Sequence, residues 1–268
     1  MPLSPAQRLH FDVFGYVLLE GALPADEVAD LTAAMRRLAA EADPQARGVY
    51  HFEHGTHHRH FGHLVEYDPA FLRQATHPRL VPLVEEVVGG RVRVEETEAI
   101  INRRDPASDP AEIRRRGTVP TGFHTGADHG WGTFEQEGKF HCLFVKTIAY
   151  LTDVGPDDGG TAVIPGSHRS GWPQGAMIEA AASDPDRLVR QVVASAGSVL
   201  LFAESLIHST TAIASDRERM IVVTGYTPTM LQVWPGNEVS PEFARGLPDR
   251  ERNLLVPDRA WPWHRGRG

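Results

Sequence analysis

Residues 188–227 read LVRQVVASAGSVLLFAESLIHSTTAIASDRERMIVVTGYT, and three short β-prone runs stand out in them, 188–194, 198–202 and 219–227. The turn-forming SAGS parts the first two. Working back toward the N-terminus, similar runs at 141–152 and 161–165 are punctuated by GPDDGG and PGSHRSG. Runs rich in branched and aromatic residues, each bounded by Gly, Pro, Ser or Asp, read as strands. Strands at this spacing predict a mainly β fold, a sandwich or barrel of the jelly-roll kind.

The first hundred residues have a different pattern. An apolar run at 16–19 precedes a turn at Pro24, and residues 25–40 keep apolar positions near helical spacing at Val28, Leu31, Met35, Leu38 and Ala39. Two more short helices are expected over 68–88, split before Pro78 and ended by Gly89-Gly90, with a strand over 91–102. Residues 103–120 hold three prolines and several charges, the composition of an exposed connection or lid. The expected organisation is one domain over 1–268: a largely helical cover to residue 90, a jelly-roll core over 91–230 and an extension over 231–268, with the helices packed on one side of the core.

At 268 residues and 41% hydrophobic content, the chain is long enough for a single large β domain. It has no apolar run of membrane-spanning length, and MPLSPAQRLHFD lacks the basic-then-apolar build of a secretory signal, so a cytoplasmic protein is expected. A net charge of −8 argues against general nucleic-acid binding. The arginines at 103, 104, 114, 115 and 116 are the one candidate basic patch, with a solvated loop as the plainer reading. The single cysteine, Cys142, excludes an internal disulfide and reads as a buried strand residue.

Fourteen histidines are present, and two stand out by context. GFHTGADHGW puts His124 in a run entering the β-rich half, and His208 follows the strand GSVLLF directly. Two imidazoles brought together from separate strands, with one further ligand, leave three coordination positions open for iron and oxygen chemistry.

The chain resembles the phytanoyl-CoA dioxygenase branch of the Fe(II)/2-oxoglutarate oxygenases through FGYVLLEGALPADEV, HPRLVPLVEEVVGG, YLTDVGPDDGGTAVIPGSHRSG and GSVLLFAESLIHS. The resemblance implies a double-stranded β-helix (cupin-like) core, Fe(II) on His124 and His208, and 2-oxoglutarate and O2 as co-substrates. In the family an arginine eleven residues beyond the second histidine pairs with the distal carboxylate of 2-oxoglutarate. Here that position is Arg219, with Arg217 as the fallback, and a planar guanidinium suits the role by meeting a carboxylate with two parallel hydrogen bonds.

One departure matters. The family motif His-x-Asp is here His124-Thr125-Gly126, and glycine cannot ligate. Halogenases of the superfamily also have Gly or Ala at this place, where chloride reaches the iron, so the resemblance implies chlorination of an unactivated C–H bond of a small molecule, with chloride as a further cofactor. Two alternatives stay open. Asp128 supplies the carboxylate of a hydroxylase if 125–127 turn back on themselves, since an extended strand would carry it about 13 Å from His124 at ~3.3 Å per residue. Otherwise water fills the place, or the chain is a non-catalytic binder with a degenerate iron site.

Further candidates are Asn102, Lys146 and Thr211 as donors to 2-oxoglutarate, and Asp128, His129, Trp131 and Phe134 as substrate-pocket residues, with packing as the alternative for the aromatics. HFEHGTHHRHFGH, with six histidines from His51 to His63, reads as a mobile loop bordering the active site, and as a second metal site only secondarily. His168 belongs to a tight turn and is not counted as a ligand. WPWHRG near the C-terminus packs on the body or serves a subunit contact. The arginines of the 103–116 connection favour an anionic substrate such as a nucleotide, because an arginine-lined lid can pair with phosphate; no membrane partner is expected.

Overall fold

The computed structural model describes residues 2–117, 122–128 and 130–257. Helix α1 (Pro5–Phe14) opens the chain. The Ser4 hydroxyl accepts from Gln7 N, the Gln7 side chain accepts from Ser4 N, Pro5 takes the first turn, and Gly15 at φ 84° ends the helix. This helix is not anticipated from the sequence, although its capping box is there to be read. Then come β1 (Tyr16–Leu19), α2 (Ala25–Ala40), β2 (Tyr50–His54), β3 (His58–Gly62), α3 (Pro69–Ala75), α4 (Val81–Val88), β4 (Val92–Asn102) and α5 (Pro110–Arg116). The second half holds β5 (Thr133–Gln136), β6 (Lys139–Cys142), β7 (Val145–Tyr150), β8 (Thr161–Val163), α6 (Gln174–Ser183), α7 (Pro185–Leu188), β9 (Arg190–Gln191), β10 (Val199–Ala203), β11 (His208–Thr210), β12 (Arg219–Pro228), α8 (Pro241–Gly246) and α9 (Asp249–Leu255).

Seven strands make the main sheet in the order β1-β10-β7-β12-β4-β3-β2, and β11-β8-β9 make a smaller one. Every pairing in both is antiparallel, as a jelly roll requires. The two faces of the main sheet can be read from the period-2 alternation of its strands. Val145, Ala149, Val199, Leu201, Met220 and Val222 join Phe11, Met35, Leu38, Phe71 and Val84 in the core under the helices. Ile148, Tyr150, Leu200, Phe202, Ile221 and Val223 join Val154, Val163 and Leu206 in a second core, on the side of the smaller sheet. By the same parity Lys146 and Arg219 belong to that second face, and Asn102 shares it with Ile100.

Several expectations are refined. The first 90 residues are not only a cover, because β1, β2 and β3 join the main sheet. The histidine-rich stretch is a β-hairpin rather than a loop: His54 faces His58 and His51 faces Phe61 across it, and β3 pairs with β4. The run at 141–152 is broken at Leu143-Phe144 into β6 and β7, and 188–194 keeps only two strand residues. The 103–120 connection contains α5, and its residues 118–120 lie outside the described ones. WPWHRG also lies outside them. Among the described residues no helix is long and apolar enough to cross a membrane.

Gly197 makes the SAGS turn possible. Its φ is +85°, and a Cβ there would stand 2.7 Å from the Leu23 carbonyl oxygen, while its own carbonyl accepts from Leu23 N at 2.8 Å. Gly197→Ala combines left-handed strain of about 1–2 kcal/mol with that collision. The expected outcome is a lower urea midpoint at unchanged slope.

Candidate metal and co-substrate site

His124 and His208 meet across a two-bond antiparallel bridge. Each backbone N–H donates to the other's carbonyl at 2.9 Å, and the ring centroids lie 4.4 Å apart. Each ring also has Nδ1 against a backbone carbonyl two residues earlier, His124 on Gly122 O at 3.0 Å and His208 on Leu206 O at 2.9 Å. A carbonyl only accepts, so both Nδ1 atoms carry the proton and both Nε2 lone pairs are left free, as metal ligation needs. Burial lowers the pKa of His208; the Glu204 carboxylate opposes that and His124 adds to it. The buried ring therefore stays neutral. The Phe202 ring packs against it at 4.9 Å.

Arg219 opens β12 and is 2% exposed. Nη1 donates to Gly159 O, and Nη2 donates at 2.6 Å to the Asn102 amide oxygen in the orientation that also lets the amide nitrogen donate to His58 Nδ1 at 2.8 Å. Nε has no hydrogen-bond partner among the described residues. Burial lowers its pKa to about 10, so the side chain remains a cation, and no carboxylate offsets its burial. A buried cation without a counter-ion costs several kcal/mol unless an anion is brought to it. Arg217 is exposed and pairs with Asp158 at 3.4 Å, which leaves Arg219 as the inward guanidinium.

Asn102 and Thr211 line a cavity of about 530 Å³ together with His54, His57, His58 and Arg103. The Thr211 hydroxyl is already used, donating to Gly160 O at 3.0 Å. Lys146 lies elsewhere. It faces Gly225 in the β12 register, six residues or about 20 Å along the strand from Arg219, so the two cannot clamp one carboxylate. Its ammonium is held by Glu96 at 2.7 Å and Glu204 at 3.5 Å. Burial alone would lower its pKa, but Glu204, Glu96 and Glu98 outweigh burial and raise it.

The 125–127 turn forms, with the Thr125 hydroxyl donating to Ala127 O at 2.6 Å, and Asp128 after it is exposed. His129 lies outside the described residues. Trp131 is half exposed. Phe134 stacks on His141 at 5.0 Å over Gly89, at the end of α4, and is a packing residue. Cys142 is buried, and burial raises its pKa. The buried His168 packs edge-on against Phe140 at 4.6 Å. In the histidine-rich hairpin, His60 meets Glu98 at 3.1 Å and His58 meets Asn102, so its inner face borders the site.

Glu204 is not singled out by the sequence. It follows β10 and is 1% exposed, with both carboxylate oxygens lacking hydrogen-bond partners among the described residues. Oε1 lies 3.9 Å from His208 Nε2, and its backbone carbonyl accepts from Gly126 N at 3.1 Å. A Cβ on Gly126 would fall 1.7 Å from Oε2. The place that glycine leaves is thus filled by another residue's carboxylate. The signal in the sequence is an acidic residue ending the apolar run VLLFA, four residues before the metal-candidate histidine. Among the described residues no three His, Cys, Asp or Glu side chains form a ready-made cluster, so these donors meet in pairs.

The arginines of the 103–116 connection are matched by the chain's own carboxylates. Arg103 pairs with Glu218, Arg104 with Asp216, Arg114 with Asp157, and Arg115 and Arg116 with Glu112. Their charge is largely met within the chain, and they give no particular support to a phosphorylated substrate.

Residues 11–221 match the phytanoyl-CoA dioxygenase (PhyH) family. Among solved structures, HygX from Streptomyces hygroscopicus with nickel and 2-oxoglutarate bound superposes with a TM-score of 0.69 at 22% identity, over 87% of this chain and 90% of that one. The non-haem α-ketoglutarate-dependent epimerase SnoN from nogalamycin biosynthesis gives 0.62 at 22% identity, over 83% and 79%. The carbocyclase SnoK from the same biosynthesis gives 0.65 at 19% identity, over 92% of each chain. At such identities the superpositions speak for the fold, and the family match carries the classification. The chain belongs to the phytanoyl-CoA dioxygenase family and is an enzyme of the non-haem Fe(II)- and 2-oxoglutarate-dependent oxygenase type.

Proposed function

We propose that His124 and His208 hold Fe(II), that Arg219 holds the distal carboxylate of 2-oxoglutarate, and that the enzyme oxidises a C–H bond of a small molecule by inserting oxygen rather than halogen. The observation that carries this reading is Arg219, a buried cation whose Nε has no partner and which faces no carboxylate among the described residues. A dicarboxylate co-substrate supplies the missing charge. The histidine pair suits the metal because both Nδ1 protons are committed to the backbone, which fixes the tautomer and aims of both rings. When bound, iron and 2-oxoglutarate together supply the activation of O2, with the co-substrate oxidised to succinate and CO2.

The chain's own residues do the rest. Asn102 keeps Arg219 oriented while itself braced by His58. Phe202 and Leu206 pack the apolar side of the site near His208 and keep water from it. Glu204 fills the room beside Gly126, and this favours oxygen over halogen: the space that a halide would need is already taken by a carboxylate. The glycine alone suggests chlorination; the glycine together with its neighbour favours hydroxylation or a related oxidation. That HygX has been crystallised with hygromycin B and SnoN with a nogalamycin compound supports a specialised metabolite as the substrate class.

Arg219→Ala is expected to weaken 2-oxoglutarate binding by about 2–5 kcal/mol, the range for removing one partner of a buried charge pair, as read by anaerobic calorimetry. Unchanged affinity refutes the pairing. Crystals loaded with Fe(II), 2-oxoglutarate and bromide should show no bromine anomalous peak bonded to the metal, and such a peak would restore halogenation. Asp128→Ala should leave metal affinity within about twofold, as surface substitutions do.

A further inference from the structure

We propose that Glu204 supplies the carboxylate ligand of the iron, having exchanged places with the aspartate that usually stands two residues after the first histidine. The inference rests on the reading of His124 and His208 as the imidazole ligands. Its ground is a mutual exclusion. The backbone at Gly126 does not need glycine, because its φ is not in the left-handed region. What occupies the side-chain space there is Glu204, whose Oε2, Cδ and Cγ would lie 1.7, 2.5 and 3.0 Å from a Cβ at residue 126, so a side chain at 126 requires that carboxylate to move away. A carboxylate carried at position 126, as the His-x-Asp motif would place it, and the Glu204 carboxylate therefore compete for one volume. Only one of the two positions can fill it.

Distance is close to what that role needs. Two donors sharing a metal at ~2.1 Å stand about 3.0 Å apart when cis, as all pairs in a facial triad are. Glu204 Oε1 and His208 Nε2 are 3.9 Å apart, so a small side-chain movement closes them on one ion. The ligands are also carried by one continuous unit, since Gly126 N bonds to Glu204 O and His124 pairs with His208. In the usual pattern the carboxylate comes from the strand of the first histidine. Here it comes from the segment that leads into the second, with the same bridge holding both.

Charge points the same way. A carboxylate that is 1% exposed with no hydrogen bond on either oxygen is costly unless a cation faces it. Lys146 is the nearest cation but stands closer to Glu96, at 2.7 Å, than to Glu204, at 3.5 Å. One ammonium is shared between two carboxylates beside the imidazoles of His124 and His208. A divalent metal supplies the further positive charge, and a halide would oppose it.

The test uses the full chain and Co(II), which binds such sites without turnover. Calorimetry with 2-oxoglutarate present should show Glu204→Gln weakening Co(II) by more than about 100-fold, beyond the effect of losing a residue that only orients a ligand. The apo melting temperature should stay near that of the unaltered chain, because glutamine keeps the shape. Gly126→Asp combined with Glu204→Gly returns the carboxylate to its usual origin and should recover Co(II) binding. Wild-type Co(II) affinity in Glu204→Gln overturns the proposal, as does a folded double variant that binds no Co(II). Should neither variant fold, the cobalt anomalous peak in crystals of the unaltered chain decides: Glu204 within bonding distance supports the proposal, and Glu204 remote from the metal refutes it. An unaltered chain that binds no Co(II) at all removes the metal-site reading itself, a result distinct from failure of the Glu204 assignment.

Discussion

The site depends on two hydrogen bonds. Among the described residues, the reciprocal N–H···O contacts between His124 and His208, each 2.9 Å, pair the 122–128 segment with the smaller sheet. They bring the rings to 4.4 Å and align the next step of the same segment, where Gly126 N reaches Glu204 O. An antiparallel bridge sets two opposed side chains on the same face without help from the side chains themselves. The imidazoles thus owe their proximity to the backbone, and their free Nε2 atoms to a second set of backbone contacts through Nδ1. The orientation is built into the main chain before any ion arrives.

Around that pair the inner face of the main sheet changes character along its length. At one end Arg219 and Asn102 stand opposite each other in the β12–β4 register, with His58 beyond them on β3. In the middle Ile148, Tyr150, Leu200, Ile221 and Val223 give the face an apolar floor. At the other end lie Lys146, Glu96, Glu98 and Glu204. An apolar floor running between a buried cation and a buried acidic cluster lowers the local dielectric for both. Each end then holds its opposite charge more tightly than an open cleft would.

The fold is legible in the sequence because its signals are local. The continuous apolar runs of Val199 to Phe202 and of Met220 to Val223, the helical spacing in α2 and the Gly89 stop after α4 each follow from near neighbours in sequence. Helix α1 escapes that reading although its Ser4–Gln7 box is equally local. The hairpin of β2 and β3 is harder, since histidines have no marked strand preference and its place is fixed by pairing with β4. Lys146 is misplaced relative to Arg219 for a related reason: the interior face of a strand follows from parity, but the level at which two residues meet is set by register.

The third ligand shows where spacing stops being informative. A motif such as His-x-Asp works because residues two apart on a strand share a face, so sequence distance stands in for direction. That substitution fails when the neighbour in space lies far along the chain. Gly126, read alone, is a vacancy, and a vacancy beside iron invites a halide. Read with Glu204, it is the relief of a collision, and the glycine is what permits a carboxylate to enter from the other strand. The same residue therefore supports opposite chemistries depending on one contact that no spacing rule contains. What a metal site selects is a donor in a volume, and either of two chain positions can put it there so long as the other stands aside.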